Sequence, residues 1–320
     1  MPILSLSKVQ IGKESTWNTS VAATKVIPVT SDPTFANEYN SVRDSARRGI
    51  AAMDYQLLQG GGLANISLEG PLLPDIAGNL LAGIMGTVST GSAVSGVYPH
   101  TITLGSSVPS FTVEDANPIA YREHSGAKIS ELRLSFAARD GLLAHSTSMV
   151  ATTGVSGGSA TTGLTAETNK PWIGIDTSVS IGGSAQNRVT SFELTLARGQ
   201  EAVHTTGSRD PSRIDEQPLE ATFSISLDAG TTSVDDLAKY MGTSGAFNES
   251  ALVLTWTYGS TSTLRSLVFT ATQASFGDGP ATRDLGGGQY LITLQGRCLY
   301  NTTDGPGPCK FVLNNTQTAY

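Results

Sequence analysis

Ile66-Ser67-Leu68-Glu69, then Pro74-Asp75-Ile76-Ala77-Gly78-Asn79-Leu80-Leu81-Ala82-Gly83-Ile84, then Met85-Gly86-Thr87: this stretch has a counterpart later in the chain. The counterpart runs Ile225-Ser226-Leu227-Asp228, Ser233 through Tyr240, and Met241-Gly242-Thr243. Ile66 and Leu68 alternate with Ser67 and Glu69, so each copy opens on a half-buried strand. Leu73, Ile76, Leu80, Leu81 and Ile84 then recur at helical spacing and form an apolar stripe. Pro74 suits a first helical turn, where its missing N–H costs nothing, and Gly86 sits where a helix would stop. Gly78 and Gly83 weaken this helix, so packing must hold it. In the second copy Ser233 is the N-cap. Val234, Leu237, Ala238 and Met241 are its stripe, and Asp235-Asp236 complement the helix dipole.

The patterns around the two copies follow one order: strand, long polar excursion, strand, glycine-stopped helix, strand, hairpin. The first excursion, about 31–62, carries the charge cluster Arg43, Asp44, Arg47 and Arg48 with scattered apolar residues. It shows no obvious secondary structure, and its length is uncommon for a plain connection. It reads either as a solvated loop or as an arm that touches a neighbouring subunit. The candidate contact residues are Tyr39, Arg43, Arg47, Arg48, Ile50, Met53 and Tyr55. Residues 198–218 occupy the same place in the second half. Residues 152–170 are nearly all Thr, Gly, Ser and Ala, a flexible-linker composition. The expected division is a first domain at 1–153, a linker at 154–171 and a second domain at 172–320. Residues 88–99 read as a surface loop, 115–125 as a polar turn, and the tail from Asn301, with Pro306 and Pro308, as extended.

The 320 residues bound one large or two ordinary domains. Short apolar runs and Thr/Ser/Gly richness favour β structure. Only 15% of residues are charged, low for a soluble surface, and large buried contacts between subunits would account for it. The net charge of −7 argues against gripping nucleic acid, though not against nucleic acid sliding past. No apolar run reaches membrane-spanning length, and Met1-Pro2-Ile3 lacks a signal-peptide start, so cytoplasmic synthesis is the default expectation. Cys298 and Cys309 read as free thiols.

No catalytic constellation is expected, and no cofactor or metal. Gly154-Val155-Ser156-Gly157-Gly158 matches G-x-S-x-G but lies in the linker composition, without the strand and helix that motif needs. His100, His124, His145 and His204 lack a partner histidine at metal spacing. His100 and His145 read as satisfied sheet histidines, and Glu123-His124 as a surface ion pair in a turn. The Gly60–Gly62 and Gly286–Gly288 runs lack a phosphate-loop ending.

Taken together, Glu14-Ser15-Thr16-Trp17, Arg48-Gly49, Ile66-Ser67-Leu68-Glu69, Met85-Gly86, Pro109-Ser110-Phe111-Thr112-Val113-Glu114-Asp115 and Gly126-Ala127-Lys128-Ile129-Ser130-Glu131-Leu132 resemble the major tail tube proteins of long-tailed bacteriophages, in their longer duplicated kind. The resemblance covers most of the first half closely and the second half as architecture. It implies a mainly β chain of two tandem tube domains, each a β-sandwich or half-barrel with one flanking helix. It also implies homotrimeric pseudo-hexameric rings, or alternatively homohexamers, stacked into a tube that conducts DNA without specific binding. The partners it implies are tape measure, tail terminator and distal tail or baseplate proteins, with no membrane, in the virion tail. The alternatives are a minor tail or capsid-decorating protein, a β-sandwich adhesin or carbohydrate binder, and, last, a hydrolase.

Overall fold

The computed structural model describes residues 7–49, 51, 53–229, 247–278, 282–284 and 291–320. The chain is mainly β and its sheets are antiparallel. The first half contributes β1 (Lys8–Lys13), β2 (Lys25–Ile27), β3 (Thr34–Asp44), β4 (Gln56–Pro71), α1 (Pro74–Met85), β5 (Gly86–Thr90), β6 (Tyr98–Leu104), β7 (Phe111–Ala116), β8 (Tyr121–Ala137) and β9 (Ala144–Ala151). After the short β10 (Val155–Ser156) come β11 (Thr177–Ile181), β12 (Ser184–Ala185), β13 (Val189–Ala197), β14 (Gln200–Val203), β15 (Arg213–Glu216) and β16 (Glu220–Asp228). The chain continues through β17 (Glu249–Tyr258), β18 (Arg265–Ser275), β19 (Thr282–Asp284), β20 (Leu291–Cys298) and β21 (Lys310–Asn315). The second expected helix, Ser233–Tyr240 with its Met241-Gly242-Thr243 stop, lies outside the described residues.

One sheet runs through both halves in the order β3-β4-β9-β8-β13-β16-β20-β19. Its alternation sends Ile66, Leu68, Leu132, Leu134, Phe192, Leu194, Ile225 and Leu294 into one core. A second layer covers that core. It is made of β2-β1-β7 with the start of β8, and of β12-β11-β17-β18-β21-β6-β5. The 17-residue β8 belongs to both layers. It changes layer where Gly126 holds φ +66° and a register shift follows at Ile129/Glu131.

Helix α1 starts at Pro74 and ends at Gly86, as its sequence predicts. Gly86 takes φ +98°, and a Cβ there would run into the Ser107 carbonyl oxygen. The helix is more deeply covered than its apolar stripe implies: only Asp75 and Asn79 escape full burial. The two weakening glycines explain the depth. Gly83 admits the Ile129 side chain, and Gly78 lies flat beneath the Tyr320 ring. Tyr320 is brought there by β21, the strand the sequence reads only as an extended tail. β21 pairs with β18 of the second half and β6 of the first.

Three further readings change. Residues 88–99 are partly strand β5, and 115–125 holds the ends of β7 and β8. The Thr/Gly/Ser segment is tied down despite its composition. β10 pairs with β8, Thr161 N–H and O–H donate to the buried Glu114, and the Glu167 carboxylate accepts from Asp75 N at the start of α1. Hydrogen bonds hold what apolar patterning leaves unmarked.

Candidate functional site: an open sheet and its excursions

The excursion at 31–62 is a long hairpin, not an irregular loop. β3 and β4 pair from Thr34↔Ser67 out to Asp44↔Gln56. The pattern is hard to read because water meets both faces toward its tip. The second excursion is also a hairpin, β14 with β15, growing from β13 and β16. The registers agree in detail. Phe35 faces Ile66 but Val42 faces Leu58, and Phe192 faces Ile225 but Gln200 faces Glu216. Each hairpin therefore loses one residue of register between its root and its tip, the mark of a bulge.

Of the expected contact residues, Tyr39 is exposed on β3, with its ring beside Gly62. Arg43 pairs with Asp54, Arg48 with Asp44, and the Arg48 guanidinium lies 4.4 Å from the Tyr55 ring centroid. Arg47 is exposed in the turn, and Met53 is 77% exposed. Ile50 lies outside the described residues. The hairpin thus gathers Tyr39, Arg43, Arg47, Arg48, Met53 and Tyr55 on one projection. It adds three residues that sequence reasoning missed: Val42, Leu57 and Leu58, each more than half exposed. Apolar residues without period inside a polar excursion were the available signal.

The second hairpin is held down. Glu216 takes Lys128 Nζ at 2.8 Å and Arg198 at 3.2 Å, and all three side chains are largely buried. Arg198 also donates to the carbonyls of Ile84, Gly105 and Ser106, which caps the end of α1 from the other half. Beyond the hairpin, the turn at 204–212 lies on the root of β4. The His204 ring packs against Gly61, and Gly62 N donates to Arg209 O at 2.9 Å.

The large sheet has one buried face and one open face. Ser and Thr are the commonest residues on the open face, among them Ser67, Ser146, Ser148, Thr195, Ser224 and Thr293, with Leu63, Val150 and Leu291 beside them. Among the described residues its charges include Glu38, Glu69, Glu131, Glu193, Glu220 and Asp228 against Arg133, Arg297 and the Glu216-paired Lys128. Both arginines are neutralised, Arg133 by Glu193 and Arg297 by Glu220 and Asp278. Among the described residues, β3 pairs with β4 alone and β19 with β20 alone, so the sheet ends in two free edges.

His100, His124 and His145 are buried, each on a different strand. His100 lies buried between Thr90, Asn315 and Gln317. His145 bonds Thr147, and burial pushes its pKa down to about 4. The Glu123–His124 surface pair is corrected: His124 is fully buried on β8 and stacks on Phe35, while Glu123 bonds Ser20 and Tyr121. Ser156 of the G-x-S-x-G match sits on β10, with no helix after it. Cys298 and Cys309 are free and buried. Among the described residues no group of three or more His, Cys, Asp or Glu could hold a metal, and no helix is long and apolar enough to cross a membrane.

A family model described as phage tail tube protein matches residues 5–297. The chain belongs to the phage tail tube protein family. No curated protein matches the sequence. As a tail tube protein it is a structural component of a phage tail, from a family that works by self-assembly with other tail proteins and is in general not enzymatic. In a tail tube protein the two free edges and the projecting hairpin are the features to explain.

Proposed function

We propose that this tail tube protein closes into rings of three chains, that the rings stack into the tube, and that genome DNA passes through the bore. The observation that carries the reading is the eight-stranded sheet, which among the described residues has a free edge at each end. Free edges template pairing with another chain, and joining them head to tail removes them. Three copies would give a barrel of 24 strands. At about 4.8 Å per strand and a tilt of about 40°, its backbone diameter is roughly 50 Å. Six copies would double that and leave a bore far wider than one duplex fills. Each chain would supply two tandem tube domains, 1–153 and 172–320, so that the trimer is pseudo-hexameric. The matched hairpin registers support that division.

The open face of the sheet would line the bore. Ser, Thr and carboxylates, with both arginines neutralised, offer phosphate no grip and let DNA slide. The β3–β4 hairpin would contact a neighbouring subunit through Tyr39, Arg43, Arg47, Arg48, Ile50, Met53 and Tyr55, joined by Val42, Leu57 and Leu58. Assembly would take place in the host cytoplasm with tape measure, terminator and distal tail proteins. Negative-stain imaging of the purified chain, with light scattering of released rings, tests the reading. Tubes built from three-chain rings are expected. Isolated particles, or rings of six chains, would overturn it.

A further inference from the structure

We propose that the seam between the two halves inside one chain is the template for the seam between chains, which sets a residue-by-residue register for the interface. The inference rests on the ring reading above; the partner is a second copy of this chain.

Inside the chain, β8 and β13 are joined with Phe136 opposite Phe192, Leu134 opposite Leu194, Leu132 opposite Leu196 and Glu131 opposite Ala197. The hairpin registers make Phe35 the counterpart of Phe192, Tyr39 that of Leu196 and Asn40 that of Ala197. The other side of the seam follows from the repeated Ile-Ser-Leu. Leu68 faces Thr147, which faces Leu132; Leu227 faces Ile292, which faces Arg283. Residue 283 therefore stands where Leu132 stands, and Thr282 where Glu131 stands. These are the two free edges. Transferring the inner seam onto them sets Tyr39 of one copy opposite Arg283 of the next, and Asn40 opposite Thr282.

The same transfer places the projecting hairpin. In the chain, the turn of the second hairpin rests on Gly61 and Gly62 at the root of β4. Their counterparts are Glu220 and Ala221 at the start of β16. The arm of one copy then lies across that root on the next copy, near the end of β20. Tyr300, 65% exposed, waits there two residues beyond Cys298.

One difference between the seams has a physical reason. The inner seam is clamped by Glu216, Lys128 and Arg198. In the arm, Leu57 stands at the position of Glu216 and Ser41 at that of Arg198. A subunit can carry an exposed leucine while it waits for a neighbour. A charge triad built to be buried would have to be stripped of water at every assembly step, at a cost that can exceed its attraction. The exchange of Glu for Leu accounts for a leucine that is 69% exposed in the lone chain.

Paired cysteines test the register. Directly opposite residues on antiparallel strands have Cβ atoms about 4.5–5.5 Å apart, and adjacent pairs alternate between wide and narrow spacing, so one of two neighbouring pairs meets disulfide geometry. Tubes of Asn40→Cys/Thr282→Cys and of Tyr39→Cys/Arg283→Cys would be imaged, oxidised and run on denaturing gels. One of them is expected to give covalent dimers and closed trimers. The shifted pair Glu38→Cys/Thr282→Cys and each single variant should stay monomeric. Three-chain rings that cross-link only in the shifted pair, or in none, would overturn the register and leave the ring reading standing. Absence of rings in the unsubstituted protein would remove both.

Discussion

The two hairpins that leave the large sheet grow from equivalent strand pairs and each loses one residue of register, yet one is sealed and the other is bare. β14–β15 buries Ile214 and sets Glu216 between Lys128 and Arg198. β3–β4 ends in Val42, Met53, Leu57 and Leu58, all facing water. Equivalent backbone thus carries two kinds of surface. A contact made once, during folding, tolerates buried charge because all three partners arrive on the same chain. A contact that waits for another molecule is better made of carbon and of salt bridges that stay wet. The contrast supports the proposal that the arm is an interface awaiting its neighbour.

The largest effect is expected at the clamp. Glu216→Ala leaves Lys128 and Arg198 buried without their anion, a loss of about 3–5 kcal/mol. Urea unfolding of the subunit should show it, and a change under about 1 kcal/mol would mean that the inner seam is not held by charge.

A smaller effect sits at the tether between the halves. Burial pushes the Glu167 carboxyl up to about 7 from its ordinary 4.5, against the donors Asn169 and Asp75 N and with the Asp75 charge adding to the rise. The folded state then holds a proton that the unfolded chain releases above pH 4.5. Stability should therefore fall as pH rises from about 4.5 to about 7 and level off beyond. Thermal melts across that range should show the slope, and Glu167→Gln should flatten it. An unchanged slope in the variant would assign it to other groups.

The smallest effect on the subunit is expected in the arm. Arg43 and Arg48 make exposed pairs, so Arg43→Ala and Arg48→Ala should each cost less than about 1 kcal/mol. Met53→Ser with Leu57→Ser should change subunit stability by no more than about 0.5 kcal/mol, yet abolish tubes in the microscope. Normal tubes from that variant would show that the arm is ornament rather than interface.

What could be read from residues alone follows burial. Helix α1 was legible because Leu73, Ile76, Leu80, Leu81 and Ile84 face a core, and Pro74 and Gly86 mark its ends. The strands with one wet face, such as Ile225–Leu227 and Phe192–Leu196, were legible by alternation. The arm was legible as an excursion and not as a hairpin, because a ribbon wetted on both sides imprints no period. β21 was hidden behind Pro306 and Pro308. The anchoring of 152–170 was hidden because Glu114 and Glu167 act across long sequence separations. His124 was misplaced because its cover, Phe35, comes from the arm's root.

The two sulfurs carry a consequence for the life of the particle. Cys298 lies sealed, its thiol pushed up to about 12 by burial, and Cys309 is deeper still with its thiol also raised. Thiolate is the form that oxidants attack. In a tail assembled as proposed, these two groups would stay inert toward oxidants and would add no stray covalent bonds to the joints with age.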